Sequence, residues 1–280
     1  MSTSQPHEDG SIDVSMATFI GHDTMDFGES RIFYKQIRYL TSHGDSLNTE
    51  IWFPHTPTDS SRLIVMLPGF KDPALSLYPL AIQATNRGSI VMIANPRGYD
   101  LNTSNREDYG TLEGRDVLDA LNMYQTQIHS PLTFKVFGNS LGSALALNLL
   151  VSDPRAQRAA LESIMLDPQT LAHTMLGSGE YDTLQALLKA NATNNLIASP
   201  KSILESNTIS KSVLVIWGKE DKLVGSEERA ELKSLIQKAA TRSVFIEADG
   251  GGHALRYGFP MTKETAFALN KTIVDFLVGN

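Results

Sequence analysis

The stretch Gly138–Gly142 reads G-N-S-L-G, a spacing that can present Ser140 as a nucleophile. An apolar run ends just before it at Phe137, and a strongly apolar helical pattern continues from it to Val151. A sharp turn between a strand and a helix pushes the central hydroxyl out at the sheet edge and requires small residues on both sides. The free N–H groups at the start of the helix favour an oxyanion beside that hydroxyl. The pattern therefore predicts a nucleophilic serine.

A serine hydroxyl is a weak nucleophile until a base takes its proton, and histidine is the usual base. His253 directly follows a predicted strand, Ser243–Ala248, and a run of three glycines that lets the loop fold back over the sheet edge. The other histidines lie in the N-terminal region, in predicted turns or in a stretch without a predicted strand: His7, His22, His43, His55, His129 and His173. His253 is therefore the predicted base.

The base needs a carboxylate on its second ring nitrogen to hold and stabilise the imidazolium. Asp221 follows the predicted strand Ser212–Trp217 by a short turn, with Glu220 beside it. Asp167 follows the preceding predicted strand, Ala160–Leu166, at the same edge of the sheet. Asp221 is the favoured acid, and Asp167 is its main rival.

Acyl chemistry at Ser140 also needs two donors for the negative oxygen of the tetrahedral intermediate. The backbone N–H of Leu141, at the start of the helix, is one candidate. The apolar run Leu63–Leu67 ends in Pro68-Gly69-Phe70, where the turn would offer the N–H of Phe70 as the second. The sequence thus predicts an oxyanion hole built from backbone groups of two separate segments.

The elements that must position these residues alternate between short apolar runs and longer stretches of helical period. The predicted strands are 31–40, 47–53, 63–67, 89–94, 132–137, 160–166, 212–217 and 243–248. The first two flank a turn containing Gly44 and predict an antiparallel hairpin. The later runs alternate with helical patterns, and this order is typical of an α/β chain with a parallel sheet covered by helices.

Two regions interrupt this alternation. Residues 1–30 are polar and predict an N-terminal arm outside the core. Residues 170–210 contain helical patches but no predicted strand, and we expect a small helical cap insertion that could form a lid over the strand ends. The predicted core domain therefore comprises residues 31–169 and 211–280.

The composition excludes several classes of protein. The 280 residues include 24 Lys and Arg against 31 Asp and Glu, a net charge of −7 that argues against non-specific nucleic-acid binding. The absence of cysteine excludes disulfides, thiolate metal sites and a cysteine nucleophile. No segment has the roughly 18 consecutive apolar residues of a membrane span. The first residues do not resemble a signal peptide, so a cytoplasmic enzyme is expected.

Taken together, these motifs resemble those of the α/β-hydrolase superfamily. The matching pieces fall in the family's order over about residues 31–280: Leu67-Pro68-Gly69-Phe70, Asn95-Pro96-Arg97-Gly98, Gly138–Gly142, Trp217-Gly218-Lys219-Glu220-Asp221 and Gly252-His253. The sequence departs from the family at Pro68, where His is common, and at Asn139, the second position of the serine motif. The resemblance implies an open, mostly parallel eight-stranded sheet with helices on both faces, and a triad of Ser140, Asp221 and His253.

The expected activity is that of a serine hydrolase that cleaves a small-to-medium carboxylic ester through an acyl-enzyme on Ser140. The same residues could serve an acyltransferase, a thioesterase, a peptidase or a carbon–carbon bond hydrolase. A non-catalytic ligand-binding protein on the same fold is a further alternative. The expected partner is a small ester or related acyl compound, and the sequence indicates no organic cofactor and no metal.

Overall fold

The chain forms one sheet with helices packed on both faces. The computed structural model describes residues 18–27, 30–54, 63–70, 72–95, 97–98, 102, 111–128, 132–167, 199–253, 255 and 261–279. The strands are β1 Thr18–Phe27, β2 Ser30–Leu40, β3 Ser46–Pro54, β4 Leu63–Leu67, β5 Ile90–Ala94, β6 Phe134–Asn139, β7 Ala156–Glu162, β8 Ile209–Gly218 and β9 Ala240–Ala248. The helices are α1 Tyr78–Asn86 (preceded by a 3-10 turn, Ala74–Leu77), α2 Thr111–Ile128, α3 Leu141–Ser152, α4 Pro200–Ser206, α5 Ser226–Ala239 and α6 Lys263–Val278.

Within the described residues, the sheet has nine strands in the order β1-β2-β3-β5-β4-β6-β7-β8-β9. Six of them, from β5 to β9 in this order, are mutually parallel, so the predicted mostly parallel architecture is confirmed. β2 and β3 form the predicted antiparallel hairpin, in which Ile37 pairs with Thr49. The carboxyl ends of β4, β6, β7 and β8 therefore meet at one edge, where ligands bind in open α/β sheets.

The strand count corrects the expectation of eight. β1 spans Thr18–Phe27 and pairs antiparallel with β2 along its whole length, although residues 1–30 were expected to form a polar arm. An edge strand is held by backbone hydrogen bonds to one neighbour and does not need an apolar pattern to form. Residues 1–17 and 28–29 lie outside the described part of the chain.

The core consists of two apolar layers, one on each face of the sheet. β4 shows the division, since Leu63, Val65 and Leu67 enter one layer and Ile64 and Met66 the other. Helices α2, α3, α4 and α5 cover the first layer, while α1 and α6 cover the second. Burial of each such side chain stabilises the fold by about 1.5–3 kcal/mol, so the central strands contribute strongly to stability. No helix in the described ranges is long and apolar enough to cross a membrane.

The segment after β7 differs from its predicted course. The strand was expected over 160–166 but spans Ala156–Glu162, and the following apolar residues Ile164–Leu166 are buried in a loop. Residues 168–198 lie outside the described part of the chain, and they include most of the cap insertion predicted over 170–210. Its last helix, α4, packs in the α3–α5 layer through Ile203 and Leu204, and β8 already begins at Ile209.

A buried ionic cluster joins the hairpin to α2. Arg97, in the loop after β5, is fully buried and donates to both carboxylate oxygens of Asp116 at 2.8 and 2.6 Å. It also donates to Asp45 at 2.8 Å in the hairpin turn. The pKa of Asp116 is above its ordinary value, because burial and the nearby charges of Asp119 and Asp45 raise it by more than Arg97 lowers it. Arg97 thus acts within the described structure as a cross-link between three segments of the chain.

Candidate active site

Ser140 occupies the strand-to-helix turn predicted from its motif. β6 ends at Asn139 and α3 begins at Leu141. The backbone of Ser140 has φ 51° and ψ −117°, and its N–H donates to the carbonyl of Glu162 on β7 at 2.8 Å. A non-glycine residue in this conformation costs on the order of 1–3 kcal/mol and persists only where its surroundings fix it. The turn therefore holds Ser140 in a strained position at the carboxyl edge of the sheet.

The two glycines of the motif are required by close backbone contacts. A Cβ atom on Gly138 would overlap the backbone carbonyl of Gly142. A Cβ atom on Gly142 would overlap the carbonyl of Leu67 at the end of β4. The start of α3 is thus pressed against the β4 loop that carries Phe70.

Two further residues at the turn, Asn139 and Ser143, have roles that the sequence did not predict. The Nδ2 group of Asn139 donates to Oε1 of Glu162 at 2.7 Å, and both side chains are buried. The hydroxyl of Ser143 lies 2.7 Å from the carbonyl oxygens of both Gly138 and Glu162, and its single proton is shared between them. These contacts connect the turn to β7 and explain why an amide side chain at position 139 suits this structure. They involve residues 23 or fewer positions apart in the chain, but only the fold reveals the pairing.

His253 lies between Ser140 and Asp221, as the sequence predicted. Its Nε2 atom is 2.8 Å from Oγ of Ser140, and its Nδ1 atom is 3.0 Å from Oδ2 of Asp221. We assign the ring proton to Nδ1, because the carboxylate can only accept there, which leaves Nε2 to accept the serine proton. The three side chains form one continuous chain of hydrogen bonds.

Asp221 is fixed by the turn that follows β8. Its Oδ1 atom accepts from the backbone N–H groups of Leu223 at 2.9 Å and Val224 at 3.0 Å. Burial by itself raises the pKa of Asp221, but the hydrogen bond and charge of His253 and these two backbone donors outweigh it. The pKa is therefore below its ordinary value. The carboxylate is held ionised and in one orientation.

The rival carboxylates have other positions. Glu220 is exposed, and its backbone N–H donates to the carbonyl of Gly251 at 3.0 Å. Asp167 follows the buried loop after β7, where the N–H of Leu166 donates to Glu228 at 2.7 Å. Burial raises the pKa of Glu228, and the nearby negative charges of Asp221 and Asp167 raise it further. The carboxylate that pairs with His253 is that of Asp221.

Among the other histidines, His43 lies 3.4 Å from a guanidinium nitrogen of Arg115, on the hairpin side of the sheet. His7, His55, His129 and His173 lie outside the described residues. The predicted oxyanion donors occupy adjacent segments: Leu141 is the first residue of α3, and Phe70 lies in the turn after β4. Their role stays a prediction.

The described residues contain no group of three or more His, Asp or Glu side chains arranged to hold a metal ion. No protein-family model matches the sequence. No curated protein sequence matches it either.

The three-dimensional structure is similar to many solved structures. One is an esterase from Pyrococcus furiosus, with a TM-score of 0.67 and 16% identity over 88% of this chain and 93% of that one. Another is acetyl xylan esterase 1 from Thermoanaerobacterium sp., with a TM-score of 0.60 and 13% identity over 96% and 90% of the two chains. A third is an α/β serine hydrolase homologue from Coxiella burnetii, with a TM-score of 0.57 and 12% identity over 93% and 98%.

At these identities the likeness concerns the course of the chain. It extends over most of the length of both partners in each comparison. It accompanies the mostly parallel sheet and the helical layers described above. The chain therefore has the α/β-hydrolase fold.

Proposed function

We propose that the protein is a serine hydrolase that cleaves a small-to-medium carboxylic ester through an acyl-enzyme on Ser140. The observation that carries this proposal is the continuous hydrogen-bonded chain from Asp221 through His253 to Ser140, with the serine at a strained turn. A purely structural serine would gain nothing from a base on its hydroxyl and a buried carboxylate behind that base.

In the first half of the reaction, Nε2 of His253 takes the proton from Oγ of Ser140 as Oγ bonds to the ester carbonyl carbon. The carbonyl oxygen becomes negative and is held by the backbone N–H groups of Leu141 and Phe70. When the carbon–oxygen bond to the alcohol breaks, His253 gives its proton to the leaving oxygen. The alcohol departs, and the acyl group stays on Ser140.

In the second half, water takes the place of the alcohol. His253 accepts a proton from the water as its oxygen attacks the acyl carbon, and then returns this proton to Oγ as the acid leaves. Asp221 remains ionised throughout and stabilises the imidazolium. The two backbone bonds on its other oxygen keep it oriented without any movement during the cycle.

The choice of an ester is supported by the similar structures that are named as esterases. Acyl transfer to another alcohol, and hydrolysis of a thioester, an amide or a carbon–carbon bond, use the same groups and are outcomes of the test below. A cytoplasmic location stays a prediction from the sequence.

The test combines a fluorophosphonate probe, read by intact mass, with turnover of p-nitrophenyl esters of increasing acyl length. Wild-type protein should gain one adduct and hydrolyse the short esters. Ser140→Ala should gain no adduct and lose on the order of 10⁶-fold in kcat. Ser152→Ala is a matched control, because this serine lies on the exposed far end of the same helix.

The other possible results would exclude the ester, the serine hydrolase activity or the role of Ser140. An adduct at Ser140 without ester turnover would keep the nucleophile and reject the ester. Neither adduct nor turnover in the wild-type protein would contradict a serine hydrolase and favour a ligand-binding protein. Near wild-type turnover by Ser140→Ala would remove Ser140 from the reaction.

A further inference from the structure

A second strained serine stands beside the nucleophile. In the described part of the chain, the non-glycine residues with positive φ are Ser140 and Ser163, each at 51°. Asn139 pairs with Glu162 in the register of β6 and β7, so the next residue along each strand is one of these serines. Strain of this kind gathers where a fold holds functional groups, and that clustering makes Ser163 a candidate for a role in the site.

Ser163 is fully buried and connects two neighbouring segments. Its backbone N–H donates to the carbonyl of Ile216 on β8 at 2.8 Å. Its hydroxyl donates to the backbone carbonyl of His253 at 2.7 Å. Two serines that follow adjacent strands therefore contact the same histidine. Ser140 contacts its ring, and Ser163 contacts its main-chain carbonyl.

The hydrogen bond from Ser163 restrains His253, while Ser140 and Asp221 are restrained by other contacts. Ser140 is fixed by its turn, and Asp221 is fixed by two backbone donors. His253 follows a glycine run, in which the carbonyl of Gly251 accepts from the N–H of Glu220 at 3.0 Å. Glycine itself restricts the backbone least, so the hydrogen bond from Ser163 adds a restraint at the histidine itself.

The residue type at position 163 supports a role for its hydroxyl. A positive φ is most easily adopted by glycine, which has no Cβ and would remove the strain. Serine retains the backbone strain and adds one hydroxyl donor on a short side chain. That donor is directed at the main chain of the predicted base.

We propose that Ser163 is a positioning residue, whose hydroxyl fixes the main chain of His253 so that the imidazole spans Ser140 and Asp221. This inference rests on the proposed function for its catalytic consequence. Its geometric content is that loss of the hydroxyl loosens the contact between His253 and Asp221.

The test uses Ser163→Gly and Ser163→Ala in the full-length protein. Both variants lose the hydroxyl, but the glycine variant also loses the backbone strain, so it should fold even if the alanine variant does not. Thr49→Val is the matched control, because the hydroxyl of Thr49 is buried and donates to a backbone carbonyl, that of Ile93, at 3.1 Å, away from the triad.

The first readout is the proton resonance of Nδ1–H of His253, which a hydrogen bond to Asp221 should place downfield of the amides. It is assigned by its loss in His253→Gln. The second readout is ester turnover. We expect both Ser163 variants to weaken or lose the resonance and to lower kcat by about 10- to 100-fold with KM unchanged, as misplacement of a catalytic group does. Thr49→Val should leave both readouts intact.

An unchanged resonance and a wild-type kcat in Ser163→Gly would overturn the inference and leave Ser163 as a strand-end residue only. The resonance does not depend on turnover. A wild-type protein that hydrolyses no ester would therefore contradict the proposed function, while the resonance in the Ser163 variants would still decide the role of the hydroxyl.

Discussion

Asp221→Asn should lower kcat/KM for a short ester by about 10⁴-fold, through a change in the position of one proton. Oδ1 of Asp221 accepts from two backbone N–H groups, those of Leu223 and Val224. An amide NH₂ cannot replace an acceptor there, so the amide oxygen of asparagine must occupy that side. The NH₂ group then takes the position of Oδ2, which lies 3.0 Å from Nδ1 of His253 in the wild-type protein.

The substitution affects Ser140 by changing which nitrogen of the His253 ring carries the proton. A donor facing Nδ1 requires that nitrogen to accept, which moves the ring proton to Nε2. Nε2 then points an N–H at Oγ of Ser140 and can no longer take its proton. The imidazolium also loses its counter-charge. A loss of about 10⁴-fold corresponds to about 5 kcal/mol of transition-state stabilisation.

The assay is kcat/KM for p-nitrophenyl acetate, with circular dichroism to show that each variant is folded. Asp167→Asn is the matched control, because Asp167 follows the neighbouring strand and is the rival identified from the sequence. It should stay close to wild type. If Asp221→Asn keeps more than a tenth of the wild-type value, or if Asp167→Asn is the more damaging change, Asp221 does not set the position of the ring proton.

Two further predictions concern stability. The lowered pKa of Asp221 means that its ionised form stabilises the fold above about pH 4, and that this contribution is lost as the pH falls through the folded pKa. Urea unfolding should therefore show a smaller free-energy difference between wild type and Asp221→Asn at about pH 3 than at about pH 7; an equal difference would contradict the linkage. Arg97→Met should cost about 3–5 kcal/mol in the same assay, because it leaves the buried carboxylate of Asp116 without its guanidinium. The double variant Arg97→Met/Asp116→Leu should recover part of that loss, and no recovery would show that the buried charge is not its cause.

Local sequence was sufficient for most of the architecture. Strands such as Leu63–Leu67 are buried on both faces and appear in the sequence as continuous apolar runs. The Ser140 turn was also visible locally, because its glycines are demanded by contacts within and beside the turn. β1 was missed because an edge strand is held by pairing with β2, which no local pattern reports. The end of β7 was misplaced because Ile164–Leu166 are apolar whether buried in a strand or in a loop.

Apart from β1, the order of the strands could be predicted from the sequence alone, as could the candidate nucleophile and base and a short set of carboxylates for the acid. These follow from apolar periodicity and turn chemistry, which act over a few residues. The pairing of His253 with Asp221, and not with Asp167, is visible only in the tertiary structure, because the sequence places both carboxylates after strands that end at the same edge of the sheet. The tertiary structure also revealed Ser163, whose hydroxyl contacts a residue 90 positions away. Such choices depend on which backbone and side-chain groups come within about 3 Å of each other after folding, a distance that spacing along the chain does not encode.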